Sequence, residues 1–256
     1  MALEGVERVI REMHAKLEEP LTLHHLAQVA SASRFHFHRT FRRITGMPPT
    51  RFLYALRIAR ARELLCSTEM NVTDICYEVG YNSLGTFTRR FTQLFGVSPT
   101  RLRSVNRSCN GTALQLVKPA LTSANGEPLH CVSGAVIAPP EFQGPALVGL
   151  FRHPIPRGMP MASALLPQGG PYQLNVVPDG TYYIFGLAWT LASDPANTFT
   201  SEPAWRAGGQ RISIGNGVTR GSTVLWLRPS TLFDPPILLA APLLLAQVFS
   251  THPLCG

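Results

Sequence analysis

The sequence predicts an α+β protein in two domains, an all-α double helix-turn-helix followed by an antiparallel β-sandwich. Three observations predict it: where proline falls, an internal repeat, and a change of hydrophobic period along the chain. Residues 1–107 hold only Pro20, Pro48, Pro49 and Pro99, all at expected helix boundaries, while the remaining 149 residues hold the other eighteen prolines. Apolar residues recur with helical spacing in the first part and in short β-rich runs broken by Gly, Pro and Asn in the second. The polar, weakly patterned stretch SVNRSCNGTALQLVKPALTSANGEP (104–128) reads as the connection. The expected organisation is therefore a helical domain at 1–107, a linker at 108–128 and a β-sandwich sensor or interaction domain at 129–256.

The helical half contains a duplication. SRFHFHRTFRRITGMPPTR (33–51) and SLGTFTRRFTQLFGVSPTR (83–101) agree at eight of nineteen positions, at an offset of fifty. The identities are Ser33/Ser83, Phe37/Phe87, Arg39/Arg89, Phe41/Phe91, Gly46/Gly96, Pro49/Pro99, Thr50/Thr100 and Arg51/Arg101. Upstream of each copy lies a short helical segment, LTLHHLAQVA (21–30) and NVTDICYEVG (71–80). The first short helix is expected to bury Leu23, Leu26, Ala27 and Ala30, and its counterpart Val72, Ile75, Cys76 and Val79. A tight turn follows, SAS or GYNS, with Gly80 suited to positive φ. Ser33 and Ser83 then fit the N-cap of a second helix, spanning 34–45 or 84–95. Its core stripe is Phe37, Phe41 and Ile44, repeated as Phe87, Phe91 and Leu94, and it stops at Gly46 or Gly96. A short helix, a tight turn and a second helix with one apolar stripe form a helix-turn-helix, here present twice.

What lies opposite that stripe points to a polyanion. Copy one carries Phe35, His38, Arg39 and Arg42 there, flanked by Arg34, His36 and Arg43; copy two carries Thr86, Thr88, Arg89 and Arg90. Neither second helix contains an acid. Arginine forks and short hydroxyls reach guanine N7/O6, thymine methyls and phosphates. The charge distribution agrees. Residues 20–107 hold 13 bases and 4 acids, against 3 and 5 in residues 1–19 and 7 and 6 in residues 108–256. One window thus carries the whole excess of the chain's formal +8, as in a nucleic-acid-binding module. Between the copies, TRFLYALRIARARELLCST (50–68) has a broad apolar face of Leu53, Leu56, Ile58, Ala59, Ala61, Leu64 and Leu65. As a helix it spans roughly 27 Å. That length suits a rigid connector holding two recognition helices about one DNA turn, ~34 Å, apart.

These residues resemble the AraC/XylS family of bacterial transcriptional regulators. The pattern is LTLHHLAQVASASRFHFHRTFRRITGMPPTRFLYALRIARARELL followed by VTDICYEVGYNSLGTFTRRFTQLFGVSPTRLR, and the resemblance covers residues 5 to about 105. It implies a DNA-binding domain of seven helices whose third and sixth enter major grooves. Carried across position by position, the base-reading sites of the third helix fall on Phe35, His38 and Arg39. Those of the sixth fall on Leu84, Gly85, Thr86, Thr88 and Arg89. Phosphate contacts are assigned to Arg34, Arg42, Arg43, Arg90 and Arg101. Leu84 and Gly85 stand where some members place polar base readers, which leaves second-groove readout to Thr86, Thr88 and Arg89. Cys76 replaces the usual alanine and reads as core. The resemblance implies double-stranded DNA and RNA polymerase as partners and no cofactor, with activator as the working role and repression left open. It also leaves room for a small-molecule effector on the second domain. Most members place the sensing domain before the DNA-binding domain; here the order is reversed.

Residues 129–228 break into about seven short runs with turn residues between them, the spacing of an antiparallel sandwich. The phrase GAVIAPP…ALVGLFRHP…GGPYQLNVVPDGTYYIFGLAW resembles the prealbumin-like, carboxypeptidase-regulatory type of sandwich, with VPDGTYY joining two core strands through Pro178, Asp179 and Gly180. Trp189, Trp205, Trp226, Tyr172, Tyr182 and Tyr183 are candidates for a pocket lining or for core. The tail STLFDPPILLAAPLLLAQVF either covers a sheet edge or docks onto the helical half.

Other function classes are weighed against the same residues. His36 and His38 are two apart on a helix, roughly 200° around its axis, so they cannot chelate one metal together. No zinc pattern connects Cys66, Cys76, Cys109, Cys131 and Cys255. Cys131 in LHCVSG lacks the surroundings of an activated nucleophile, and no HExxH, GxSxG or P-loop occurs, so no catalytic residue is assigned. A DNA-binding domain fused to a modifying or repair enzyme, and a basic scaffold without sequence preference, are the rival readings. The longest apolar run, residues 237–249, is about half a membrane span and contains Pro242, and the N-terminus has no secretory pattern. The expected location is the cytoplasm.

Overall fold

The computed structural model describes residues 2–109, 130–158, 160–175, 178–190 and 203–238. The linker expected at 108–128 falls almost wholly outside the described residues, as does the tail from residue 239. The chain divides into two compact units, Met1–Ser104 with Thr231–Leu238, and Val105–Ser230 with Leu239–Gly256.

The first unit is built on helices α1 (Ala2–Ala15), α2 (Leu23–Val29), α3 (Arg34–Thr45), α4 (Pro49–Ser67), α5 (Val72–Glu78), α6 (Leu84–Phe95) and the first half of α7 (Pro99–Cys109). In α1 the buried stripe is Val6, Val9, Ile10 and Met13, the i, i+3, i+4, i+7 spacing of one helix face. Helices α2 and α5 start on side-chain caps: Thr22 accepts from the His25 amide and Asn71 from the Asp74 amide. Their buried faces are Leu26 and Ala27, and Ile75 and Cys76 with Val79 beyond the last turn; Leu23, Ala30 and Val72 are only partly covered.

Helix α4 opens with Pro49 at its first turn, where the missing N–H has no intrahelical partner to lose. It is buried nearly all round. Besides its expected apolar positions it sinks Phe52, Ala55, Arg57 and Arg62 into the unit. Arg62 is 1% exposed, and its Nη1 donates to the carbonyl of Ile237 at 3.3 Å. Ile237 and Leu238 are themselves buried, so of the two placements open for the tail, the part up to residue 238 joins the helical unit. The two copies pack their cores through aromatic pairs, Phe37–Phe41–Phe52 edge-on in the first, and Tyr81–Phe87 edge-on with Phe87–Phe91–Phe95 tilted in the second.

The second unit contains nine strands among the described residues. These are β1 (Val132–Ile137), β2 (Ala146–Phe151), β3 (Ala162–Leu166), β4 (Gly170–Leu174), β5 (Gly180–Ala188), β6 (Trp205–Gly215), β7 (Val218–Arg220), β8 (Val224–Trp226) and β9 (Arg228–Pro229). They form two sheets, β4-β1-β8 and β3-β2-β5-β6-β7, with β9 pairing β6. Every pairing is antiparallel except β1 with β8, which run parallel. Residues of both sheets share one core, including Val136, Tyr172 and Leu225 from the smaller and Val148, Ile184 and Ile212 from the larger.

Local chemistry explains the irregularities. Asn216 and Gly217 both take positive φ and close the β6–β7 hairpin. Between β5 and β6 the register slips at Ile184/Phe185, where Gly208 sits at φ +100; a Cβ there would lie 2.2 Å from the Ile184 carbonyl oxygen. Asp179, in the phrase singled out above, ties this end together: its carboxylate accepts from the Asn216 amide at 3.0 Å and lies 3.3 Å from Nε2 of His130. Of the aromatics considered, Tyr172, Tyr182 and Trp189 are buried, whereas Trp226 is 68% exposed. The Tyr172 phenol donates to the Thr223 carbonyl and that of Tyr182 to the Pro178 carbonyl, so these two are core residues with satisfied hydroxyls.

Candidate nucleic-acid interface

Helix α3 is set by its ends. Ser33 Oγ accepts from the His36 amide at its start, and Gly46, at φ +79, ends it with its amide bonded to the Arg42 carbonyl. Phe37 and Phe41 are buried, and the stripe continues through Thr40 and Thr45 rather than Ile44, which is only partly covered. Thr45 manages this because its hydroxyl donates to the Phe41 carbonyl at 2.9 Å. With that face fixed, Arg34, Phe35, Arg39, Arg42 and Arg43 stand exposed and His38 is half-buried. Phe35 is 78% exposed, and the Arg39 guanidinium carbon lies 5.8 Å from its ring centre. A bare aromatic ring beside an arginine fork offers an apolar surface for a thymine methyl next to a bidentate donor for guanine.

Helix α6 repeats the construction. Ser83 Oγ accepts from the Thr86 amide and Gly96, at φ +78, closes the C-terminus. Its buried residues are Phe87, Phe91 and Phe95, so the stripe turns one position further than the Leu94 expected from sequence. Leu84, Gly85 and Arg89 are exposed, and Thr86 and Thr88 are half-buried. A Cβ at Gly85 would meet nothing nearer than Ser83 Oγ at 3.9 Å, so the helix start is open to close approach. Arg101, in the first turn of α7, is exposed as well, its amide bonded to Ser98 Oγ.

Arg90 is placed differently from the other arginines assigned to phosphate. Its guanidinium carbon sits 4.0 Å from the centre of the Tyr54 ring on α4. Burial works against its charge, but the phenols of Tyr54 and Tyr81 hold it above the ordinary arginine value. Arg57 carries no sequence signal, because a buried arginine in a helix looks like a surface one. It is 7% exposed and directs Nε to the Leu17 carbonyl at 2.8 Å, Nη2 to the Glu19 carbonyl at 2.6 Å and Nη1 to the Gly80 carbonyl at 3.0 Å. Burial pulls its pKa down, offset by Tyr81, Tyr54 and Glu18. Of the four histidines weighed as ligands, His25 bonds to Glu12 through Nε2 at 3.2 Å, while His24 and His36 are exposed.

Two capped helices with exposed, acid-free arginine faces, each in contact with one long buried helix through Phe41–Phe52 and Arg90–Tyr54, define a double helix-turn-helix domain. Residues 26–104 match a family model described as "Helix-turn-helix domain". The chain is 35% identical over 112 residues to the MmsAB operon regulatory protein of Pseudomonas aeruginosa, covering 43% of this chain and 35% of that one. It is 34% identical over 105 residues to the HTH-type transcriptional activator RhaS of Enterobacter sp., covering 40% and 38%. Among solved structures it is similar to the DNA-binding domain of AdpA in complex with a target DNA, with 27% identity, TM-score 0.41, and coverage of 42% and 97%. The chain spans about a third of the length of the first curated relatives it matches, 35% for the MmsAB regulator and 26% for GbdR of the same species.

Proposed function

We propose that the chain is a sequence-specific DNA-binding transcriptional regulator, without catalysis of its own, that reads two adjacent major grooves with α3 and α6. The observation that carries this is the pair of exposed faces, Phe35 with Arg39 on α3 and Arg89 beside Gly85 on α6, each locked outward by a serine cap and a buried aromatic stripe. Bases are read by Phe35, His38 and Arg39 in one groove and by Leu84, Gly85, Thr86, Thr88 and Arg89 in the next. Arg34, Arg42, Arg43 and Arg101 neutralise phosphates, and Arg90 reaches a phosphate only from the edge of its stack on Tyr54.

The domain limits in this reading are 1–107 and 129–256, joined by the linker between them, with residues 231–238 returning to the helical domain. The β-sandwich serves as the sensor or interaction domain, a place for a small-molecule effector, and the regulator acts on RNA polymerase in the cytoplasm. That relatives of the helical segment carry the names of transcriptional regulators supports the regulatory part.

Selection of duplexes from a random pool by the purified chain tests the reading. A two-part motif with its halves about one helical turn apart, ~10 base pairs, is the expected result. Equal retention of all sequences, with affinity falling steeply in salt, would reduce the chain to a basic scaffold.

A further inference from the structure

We infer that Arg57 is the positioning residue that fixes the two recognition helices relative to one another, an inference that rests on the two-groove reading. Its guanidinium bonds at once to the α1–α2 connection, through the carbonyls of Leu17 and Glu19, and to the turn of the second helix-turn-helix, through the carbonyl of Gly80. Leu17 and Glu19 belong to the framework carrying α3, whereas Gly80 is the turn that launches α6. Arg57 itself rides on the buried connector α4, so one side chain joins all three parts.

The geometry leaves little slack. Gly80 adopts φ +81, and a Cβ there would come within 2.6 Å of the Leu17 carbonyl oxygen and 2.9 Å of the Arg57 guanidinium. The turn is therefore packed directly onto both its partners. Three backbone carbonyls in different directions match the fixed fork of a guanidinium; an ammonium has the donors but lacks the planar reach to serve all three. Burial of the charge is offset because every contact is a charge-assisted hydrogen bond. Neither helix-turn-helix needs Arg57 for its own core, which Phe37, Phe41, Phe87 and Phe91 supply. What Arg57 adds is the relation between the two units. Two reading heads joined rigidly bind a duplex with a high effective concentration at one spacing, and loosening the joint forfeits that advantage and broadens the accepted spacing.

The test uses the full chain as wild type, Arg57→Lys and Arg57→Gln, with Gly80→Ala as an independent way to push the turn off its seat. Spin labels carried on p-acetylphenylalanine at positions 43 and 93 report the separation of α3 and α6 without DNA. The expected result is a narrow distance distribution in the wild type and a broadened one in each variant that retains its helical circular dichroism. On duplexes selected by the wild type, the variants lose about tenfold on two-part sites while keeping wild-type affinity for duplexes with one half scrambled. Insertion of one or two base pairs between halves then penalises the variants less than the wild type. A folded Arg57→Lys chain with an unchanged distance distribution, or one losing equally on whole and half sites, overturns the inference. A wild type with the narrow distribution that selects no sequence overturns the two-groove reading instead, and broadening in the variants still assigns the joint to Arg57.

Discussion

The guanidinium carbon of Arg90 on α6 lies 4.0 Å above the ring of Tyr54 on α4, which ties the second recognition helix to the connector from the outside. A cation at that height over a tyrosine ring contributes about 0.5–2 kcal/mol, depending on how dry the pair is. A double-mutant cycle of Arg90→Ala and Tyr54→Ala in urea denaturation is expected to show a coupling of about 1 kcal/mol, with each single variant less stable than the wild type. Additive single effects would show that the ring and the guanidinium merely pass close by.

The two exposed arginines at equivalent repeat positions, Arg39 and Arg89, should act on different bases. Arg39→Ala and Arg89→Ala are each expected to lose ~1–3 kcal/mol of specific binding, and each should relax preference in one half of the site only. Competition binding against single-base variants of the selected duplex separates the two. Identical profiles from both variants would contradict separate reading heads.

Arg43 is exposed on α3 outside the set of base readers. Its replacement by alanine should weaken binding to all duplexes alike and reduce the slope of log K against log salt by about one unit. A change of sequence preference in Arg43→Ala would move this residue into the base-reading set.

Helix orientation depends on the serine caps. Ser33→Ala and Ser83→Ala are each expected to cost about 1 kcal/mol of stability, since each leaves the start of a recognition helix without its side-chain acceptor. Thermal melts read the loss, and Ser→Asp at either position should recover most of it. Alanine variants as stable as the wild type would mean that water caps these helices equally well.

Cys66 on α4 gives a pH-dependent signature. Burial pushes its thiol up to about 11, against the opposing influence of Arg62 and Arg103. A raised value means that the folded chain holds the proton more tightly than the unfolded one. This stabilisation is complete below the ordinary thiol pKa of about 8.5 and fades as pH rises through 11. Iodoacetamide with peptide mapping at pH 8 should therefore modify the exposed Cys131 and spare Cys66 until denaturant is added. Equal rates at both residues in the folded chain would refute the burial argument.

The repeat was legible because its signals are local. Ser33, Ser83, Gly46 and Gly96 mark helix ends through bonds to residues three or four positions away, and the structure uses all four in that way. Arg57 and Arg62 were not legible. Their acceptors lie 23 to 175 residues away, and only the fold buries α4 nearly all round. The apolar period places the stripe of α6 one position early because Leu94 and Phe95 are both apolar, and packing against Phe91 selects the ring. In the second unit the Asn216–Gly217 pair is a strong hairpin signal and would have found β7, a three-residue strand too short for an alternating pattern. Gly208 and Gly209 likewise hid the first half of β6, because a bulge breaks the period-two reading. The parallel pairing of β1 with β8 joins segments about ninety residues apart and has no signature in either one.

Hydroxyl-radical footprinting of the full chain on a selected duplex is the most direct measurement of the central idea that one polypeptide reads two successive grooves. The prediction is two protected patches on one face of the duplex, about ten base pairs apart, with Arg39→Ala clearing one and Arg89→Ala the other. A single protected patch, or two patches that both vanish with either substitution alone, would contradict it.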